Sequence, residues 1–365
     1  MPLDITPASS LLDLELDSAQ EQGGARSWRT GNPALDAALP PDLWCGGTVV
    51  GIGASGSGLD ASANAASSLA HEIIATHLLD QQHQAETGTR ASPGPDTATH
   101  APGPEHHTSV YIIAPPDQGT SSIRLISRLL GERISKTQPQ PQPQPQPHSS
   151  DKTRPSSSAA ATATAAAATA KSLLTRISLL QYLDMAGLSE ALAEIRPSPS
   201  AQHTNTNTKG KTVLLVQGLT ATVNATLRRS GVVTSAALAA GVVGAIRDVV
   251  RGGTCIGLVE VEAGWTAARD ASASSAVATA FAAGSGRVLS GTGLVSAALW
   301  RVVLAGMDVV VVVHDADGRV DGRGDGKRVG IVEVGRDERV DHAGEASALG
   351  AWAVWEGGEG LRRGV

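Results

Sequence analysis

The feature that most constrains this chain is the block TVVGIGASGSGLD at residues 48–60. An apolar run that breaks at once into glycines and then into a helix-compatible stretch reads as a buried parallel strand, a tight turn and the start of a helix. Glycine tolerates positive φ and close backbone approach, so successive amide N–H groups can converge on an anion at the helix N-terminus. Two fingerprints overlap here. In the spacing G-x-x-x-x-G-K-[ST], the run Gly53, Ser55, Gly56, Ser57 and Gly58 matches, but Leu59 stands where a lysine is needed and Asp60 where a hydroxyl is needed. In the spacing G-x-G-x-x-G, Gly51, Gly53 and Gly56 match a dinucleotide pattern, which also requires an acid at the end of the next strand about 20 residues on. The next convincing strand lies much further along and ends in Ala114-Pro115-Pro116.

The rest of the chain repeats the strand and helix alternation. Val110–Ala114, Arg176–Leu180, Val213–Gln217 and Cys255–Val261 join Thr48–Ile52 as short apolar runs of the kind buried on both faces. Helical stripes fall between them: Ala63, Ala66, Ala70, Ile73 and His77; Ile123, Ile126, Leu129 and Leu130; Leu188, Ala191, Leu192 and Ile195. Asp308–Val313 and Arg328–Val334 flank DADGRVDGRGDG and read as an antiparallel hairpin with a Gly/Asp turn. The expected fold is therefore α/β, a mostly parallel central sheet flanked by helices with an antiparallel hairpin near the C-terminus.

Low-complexity stretches interrupt this pattern at 80–108, 136–170 and 196–211. Their Pro, Gln, Ser, Thr and Asn content offers little apolar surface to offset the entropy of ordering, so they read as flexible inserts. The Ala tract after Ser156–Ser158 has helical composition but no evident apolar face to dock. Residues 1–26 read as a flexible lead, and 27–365 as a single domain.

A formal net charge of −6 argues against a globally basic nucleic-acid binder and confines any such contact to local Lys/Arg clusters. Two cysteines, Cys45 and Cys255, supply neither a disulfide framework nor a four-ligand zinc pattern, which makes a reducing compartment the default. The acidic N-terminus lacks a signal-peptide flank and the apolar runs read as too short to span a membrane, so no membrane role is expected.

The order of motifs carries a resemblance. SWRTGNPALDAAL at 27–39, then Gly46-Gly47, the strand and Gly56-Ser57-Gly58, resembles the lead-in to the phosphate loop of RecA-family recombinases. Downstream, VYIIAPPDQ resembles that family's second strand, VLLVQGLTA its Walker B strand, CIGLVEV the strand bearing a polar sensor, and 286–361 its C-terminal β-rich portion. The resemblance implies a RecA-like P-loop NTPase fold and, residue by residue, a degraded ATP site. The phosphate lysine corresponds to Leu59, the Mg²⁺-binding hydroxyl to Asp60, and the Walker B acid to Gln217; the catalytic glutamate falls near Pro115. An ammonium at ~3–4 Å from a triphosphate contributes at least about 1 kcal/mol in water and more when partly buried, and Leu contributes none. Asp60 is an alternative Mg²⁺ carboxylate, but it restores neither the lysine nor the water-orienting acid.

Arg228 and Arg229 lie where the family's first DNA-binding loop begins, and Gly- and Ser-rich 269–293 takes the place of the second. From the residues alone, these are an exposed basic pair and a loose loop. Glu260 and Glu262 close a buried strand, Glu260 near the polar-sensor position, with a structural or interface role the plainer reading. Asp315, Asp317, Asp321 and Asp325 miss the EF-hand spacing because Arg319 and Val320 occupy required positions, and His100, His106, His107 and His314 form no metal pattern. No metal or catalytic residue is expected. Trp300, Trp352 and Trp355 read as core or interface.

Taken with the resemblance, these features imply a divergent eukaryotic, fungal, nuclear recombinase paralogue. It would bind no cofactor, or ATP and Mg²⁺ only weakly, and would serve as an accessory subunit in homologous recombination and DNA repair. Its partners would be other RecA-like subunits and single-stranded DNA. The alternatives are an unorthodox ATP-binding, DNA-dependent ATPase and an NAD(P)-binding oxidoreductase of the Rossmann type.

Overall fold

The computed structural model describes residues 28–39, 41–55, 59–88, 109–137, 157–195, 211–251, 254–261, 263–266, 288–291, 297–315, 328–337 and 351–357. The strand opened by Thr48-Val49 is the pivot of the molecule. This strand, β1 (Val49–Ser55), lies between β5 (Cys255–Val261) and β8 (Val309–Asp315), parallel to both. Outward from β5 follow β4 (Thr212–Val216), β2 (Val110–Ala114) and β3 (Ile177–Gln181), all parallel. On the other side, β9 (Arg328–Asp337) and β10 (Trp352–Gly357) add antiparallel strands, completing the order β10-β9-β8-β1-β5-β4-β2-β3. The architecture is thus the expected α/β one, with five sequence-read strands placed within a residue or a few of their expected limits. The hairpin partners β8 and β9 pair as expected, but the turn between them, with Asp317, Asp321 and Asp325, lies outside the described residues.

Unbroken Val/Ile/Leu runs form the inner strands because both sheet faces are covered. Along β8, Val309, Val311 and Val313 join one apolar cluster while Val310 and Val312 join the other. The first cluster lies under α2 (Leu59–Gly88), α3 (Pro116–Thr137) and α4 (Ser157–Leu174), the second under α5 (Met185–Ile195), α6 (Leu219–Val250) and α7 (Ala297–Leu304). The three helical stripes face the sheet: Ala66, Ala70, Ile73 and His77, then Ile126 and Leu130, then Leu188, Ala191 and Leu192, are all buried. Trp300 is also buried, as expected.

Two low-complexity segments are corrected in part. Helix α2 runs on through residues 80–88, and Gln81 donates from Nε2 to the carbonyl of Lys211 at 3.0 Å. The Ala tract does dock. As α4 it turns Ala166, Ala170 and Leu173 into the core, a narrow face of small side chains that an apolar-stripe search overlooks because alanine dominates every side of the helix. The reading of apolar run length also needs correction. By length and composition α6 is long and apolar enough to cross a membrane. Here it breaks at Gly231 (φ 78°, ψ 174°) and packs Val223, Ala239, Val242, Ile246 and Val250 onto the sheet.

The lead-in is pinned ahead of β1. Asn32 caps the short helix α1 (Pro33–Ala38), accepting from the amides of Ala34 and Leu35, and Pro33 occupies its first turn. Thr30 donates its amide and its hydroxyl to the Asp36 carboxylate, both at 2.8 Å. Gly31 (φ +79°) passes so close to Thr76 that an added Cβ would sit 2.0 Å from its hydroxyl. A glycine is required there on both counts.

Candidate functional site

In an open parallel sheet, ligands bind beyond the carboxyl ends of the strands, where the chain order switches direction. That edge here is the end of β1 with the ends of β5, β4 and β2 beside it. Gly53 is buried within β1, opposite Val261 and Val312, and Ser55 closes the strand beside His314 of β8. Leu59 and Asp60 open α2. The strand and the helix inferred from residues 48–60 are therefore in place, while Gly56, Ser57 and Gly58, where the turn is expected, lie outside the described residues.

Gln217 follows β4 and is 3% exposed. Its amide is committed at both ends: Ser122 of α3 donates to Oε1 at 2.6 Å, and Nε2 donates to Oε1 of Glu260 in β5 at 2.8 Å. Its backbone N–H bonds the Ile113 carbonyl at 2.9 Å, and its carbonyl accepts from the Tyr182 hydroxyl at 2.6 Å. Thr222 of α6 extends the chain to the Tyr182 hydroxyl at 3.4 Å. These distances are those of well-formed hydrogen bonds apart from the last, which is long.

Glu260 stands directly across from Ile52, next to the strand that feeds the glycine turn. Burial pushes its carboxyl up to about 7, and hydrogen bonds from Gln217 and Ser67 pull in the opposite direction. Desolvation outweighs them because a charged carboxylate loses more in leaving water than two neutral donors return. Tyr182 is raised to about 12, first by its own burial and further by the negative charge of Glu260, against a hydrogen bond with Thr222. Pro115, the position corresponding to the water-orienting glutamate, lies after β2 and packs against Gly218, whose φ of +71° and close approach exclude a Cβ (2.8 Å from Pro115 Cγ).

The groups around Gln217 offer Mg²⁺ no free ionised carboxylate. Gln217, which corresponds to a metal-directed carboxylate only by resemblance, is a neutral amide already paired twice, and burial raises the neighbouring Glu260 carboxyl. Among the described residues no group of three or more His, Cys, Asp and Glu could hold a metal ion. The strand order departs from the dinucleotide-binding pattern. In that pattern the strand next in sequence, with its acid, lies beside β1, whereas here β5 and β4 separate β1 from β2, about 14 Å at ~4.8 Å per strand.

Arg228 and Arg229 are exposed, but on α6 rather than in a loop, directly before the break at Gly231. The helix rise puts them about 14 Å along α6 from its first residue, Leu219. Of the 269–293 segment, the described part is β7 (Val288–Gly291), which pairs antiparallel with β6 (Ala263–Thr266). Glu262 lies outside the described residues. Sequence reasoning missed Ser67, Ser122, Tyr182 and Thr222. Ser122 had a usable signal, because it shares the i, i+4, i+8 line with buried Ile126 and Leu130, and a hydroxyl on a buried stripe needs a partner.

No protein-family model matches the chain, and no curated protein matches it. Among solved structures it is similar to the crystal structure of the RadB recombinase, with 11% identity, a TM-score of 0.44, and coverage of 90% of this chain and 95% of that one.

Proposed function

We propose that the protein is a recombinase-type accessory subunit with a degenerate ATP site, acting in homologous recombination and DNA repair in the nucleus. Its role is structural: it pairs with another RecA-like subunit, supports the active recombinase on single-stranded DNA, and contacts DNA through Arg228 and Arg229. The observation that carries the reading is Gln217. At the end of the strand where an ATPase presents a metal-directed carboxylate, this chain presents an amide held by Ser122 and Glu260. The placement of β1 within the parallel part of the sheet supports the recombinase-like frame, and the motif order set out above supports the partner class. Exposure of residues 228–234 around a helix break supports a contact surface there.

The test is affinity purification of the tagged full chain from its own cells. Recovery of recombinase subunits is expected, and their absence from a well-expressed bait refutes the reading. Glu260 favours a second reading, the unorthodox ATPase, because it places a carboxyl 2.8 Å from the Gln217 amide. Magnesium-dependent ATP turnover by the purified chain, lost in Glu260→Gln or Asp60→Ala, would establish that alternative instead.

A further inference from the structure

The polar groups at the carboxyl edge of the sheet are joined to one another. Ser67 of α2 and Gln217 after β4 both bond Glu260 of β5; Ser122 of α3 bonds Gln217; Tyr182 after β3 bonds the Gln217 carbonyl; Thr222 of α6 reaches Tyr182. One hydrogen-bonded chain therefore links three helices to the ends of three strands. None of its side-chain atoms is among the buried groups left without a partner.

In a switching domain, a ligand's phosphates and metal tie the helices to the strand ends, and their loss releases those elements. Here an amide, four hydroxyls and a carboxyl make the same ties from within the chain. We propose that this network is a built-in substitute for a ligand, an autoinhibitory closure that holds the carboxyl edge in one conformation and makes partner binding independent of nucleotide. The proposal rests on the degenerate-site reading above and adds its regulation. A cation seated beside Glu260 must displace the Gln217 amide, and that strands the hydroxyl of Ser122, a residue only 2% exposed. A buried polar group without a partner is costly, so the closed arrangement resists opening.

Hydrogen exchange of the full chain tests this, with and without Mg²⁺ and a non-hydrolysable ATP analogue. In the unmodified protein, residues 119–126, 213–217 and 256–261 should be protected and indifferent to the nucleotide. Gln217→Ala should speed exchange in those three segments by roughly 5- to 100-fold, the range set by one stranded buried partner. Val223→Ala, which opens a cavity under α6, should instead raise exchange across the domain. If Gln217→Ala does not fold, Ser122→Ala removes one link and should act on 119–126 and 213–217 alone. Nucleotide-induced protection in the unmodified protein overturns the proposal, as does unchanged or uniformly raised exchange in the network variants. Loss of the recombinase partners would refute the parent reading while leaving this exchange pattern intact.

Discussion

Replacing Glu260 by glutamine should stabilise the protein at neutral and alkaline pH and leave it unchanged in acid. The carboxyl is raised from 4.5 to about 7 because burial disfavours its charged form. Between those values the folded chain holds a proton that the unfolded chain has released, so stability falls as pH rises through the window. The penalty is absent below pH 4.5 and complete above about 7. At ~1.4 kcal/mol per pH unit the full shift amounts to about 3 kcal/mol. The residue as a whole is only half-buried, and water near part of the side chain reduces that figure, so about 1–2 kcal/mol is the working magnitude. Glutamine has the shape of the protonated acid and can still accept from Ser67 and the Gln217 amide. Urea unfolding of both proteins across pH 4.5 to 8.5 reads the effect directly. The difference in unfolding free energy, variant minus parent, should start near zero in acid, climb between pH 4.5 and about 7, and then level off. A difference that stays flat, or one that declines with pH, refutes the claim that desolvation dominates at this carboxyl.

Leu173→Ala on the alanine-rich helix α4 should cost about 2–4 kcal/mol in urea unfolding, because a 2%-exposed side chain leaves a cavity; a cost under about 0.5 kcal/mol would mean α4 does not dock. Gly306→Ala should destabilise by about 1–3 kcal/mol, since its Cβ would lie 1.6 Å from Cγ1 of Val243, a β-branched side chain on a helix that cannot rotate clear; thermal unfolding checks it. The double variant Arg228→Ala/Arg229→Ala should weaken single-stranded DNA binding and flatten the slope of log affinity against log salt by about 1.4, at ~0.7 per phosphate contact, measured by fluorescence anisotropy. An unchanged slope would remove both arginines from the contact surface.

The strands were legible because each is a local fact: an uninterrupted apolar run such as VLLVQ or DVVVVV has one use in a globular chain, burial on both faces. The three helical stripes were legible for the same reason, and they face the sheet. Helix α4 was not, because alanine carries no contrast between a buried and an exposed face, and only the groove beside α3 selects Ala166, Ala170 and Leu173. The extension of α2 through Gly88 was missed likewise, since its last turns are mostly polar and show no apolar stripe. Within the site, the exchange of an acid for Gln217 could be read residue by residue. What Gln217 touches could not.

Local sequence determined the strand and the helix on either side of the glycines at 56–58, the alternation that makes an α/β sheet, and the uncharged side chains at Leu59 and Gln217, because each depends on residues adjacent in the chain. Strand order was decided only by tertiary structure. Placing β5 and β4 between β1 and β2 separated two strands adjacent in sequence order and brought Glu260 against Gln217, across 43 residues of chain. The same assembly delivered Ser122 from 95 residues away and drove the Glu260 carboxyl upward by enclosing it. Side-chain pairing and desolvation are properties of what the fold packs around a group, so they become defined only when distant segments meet.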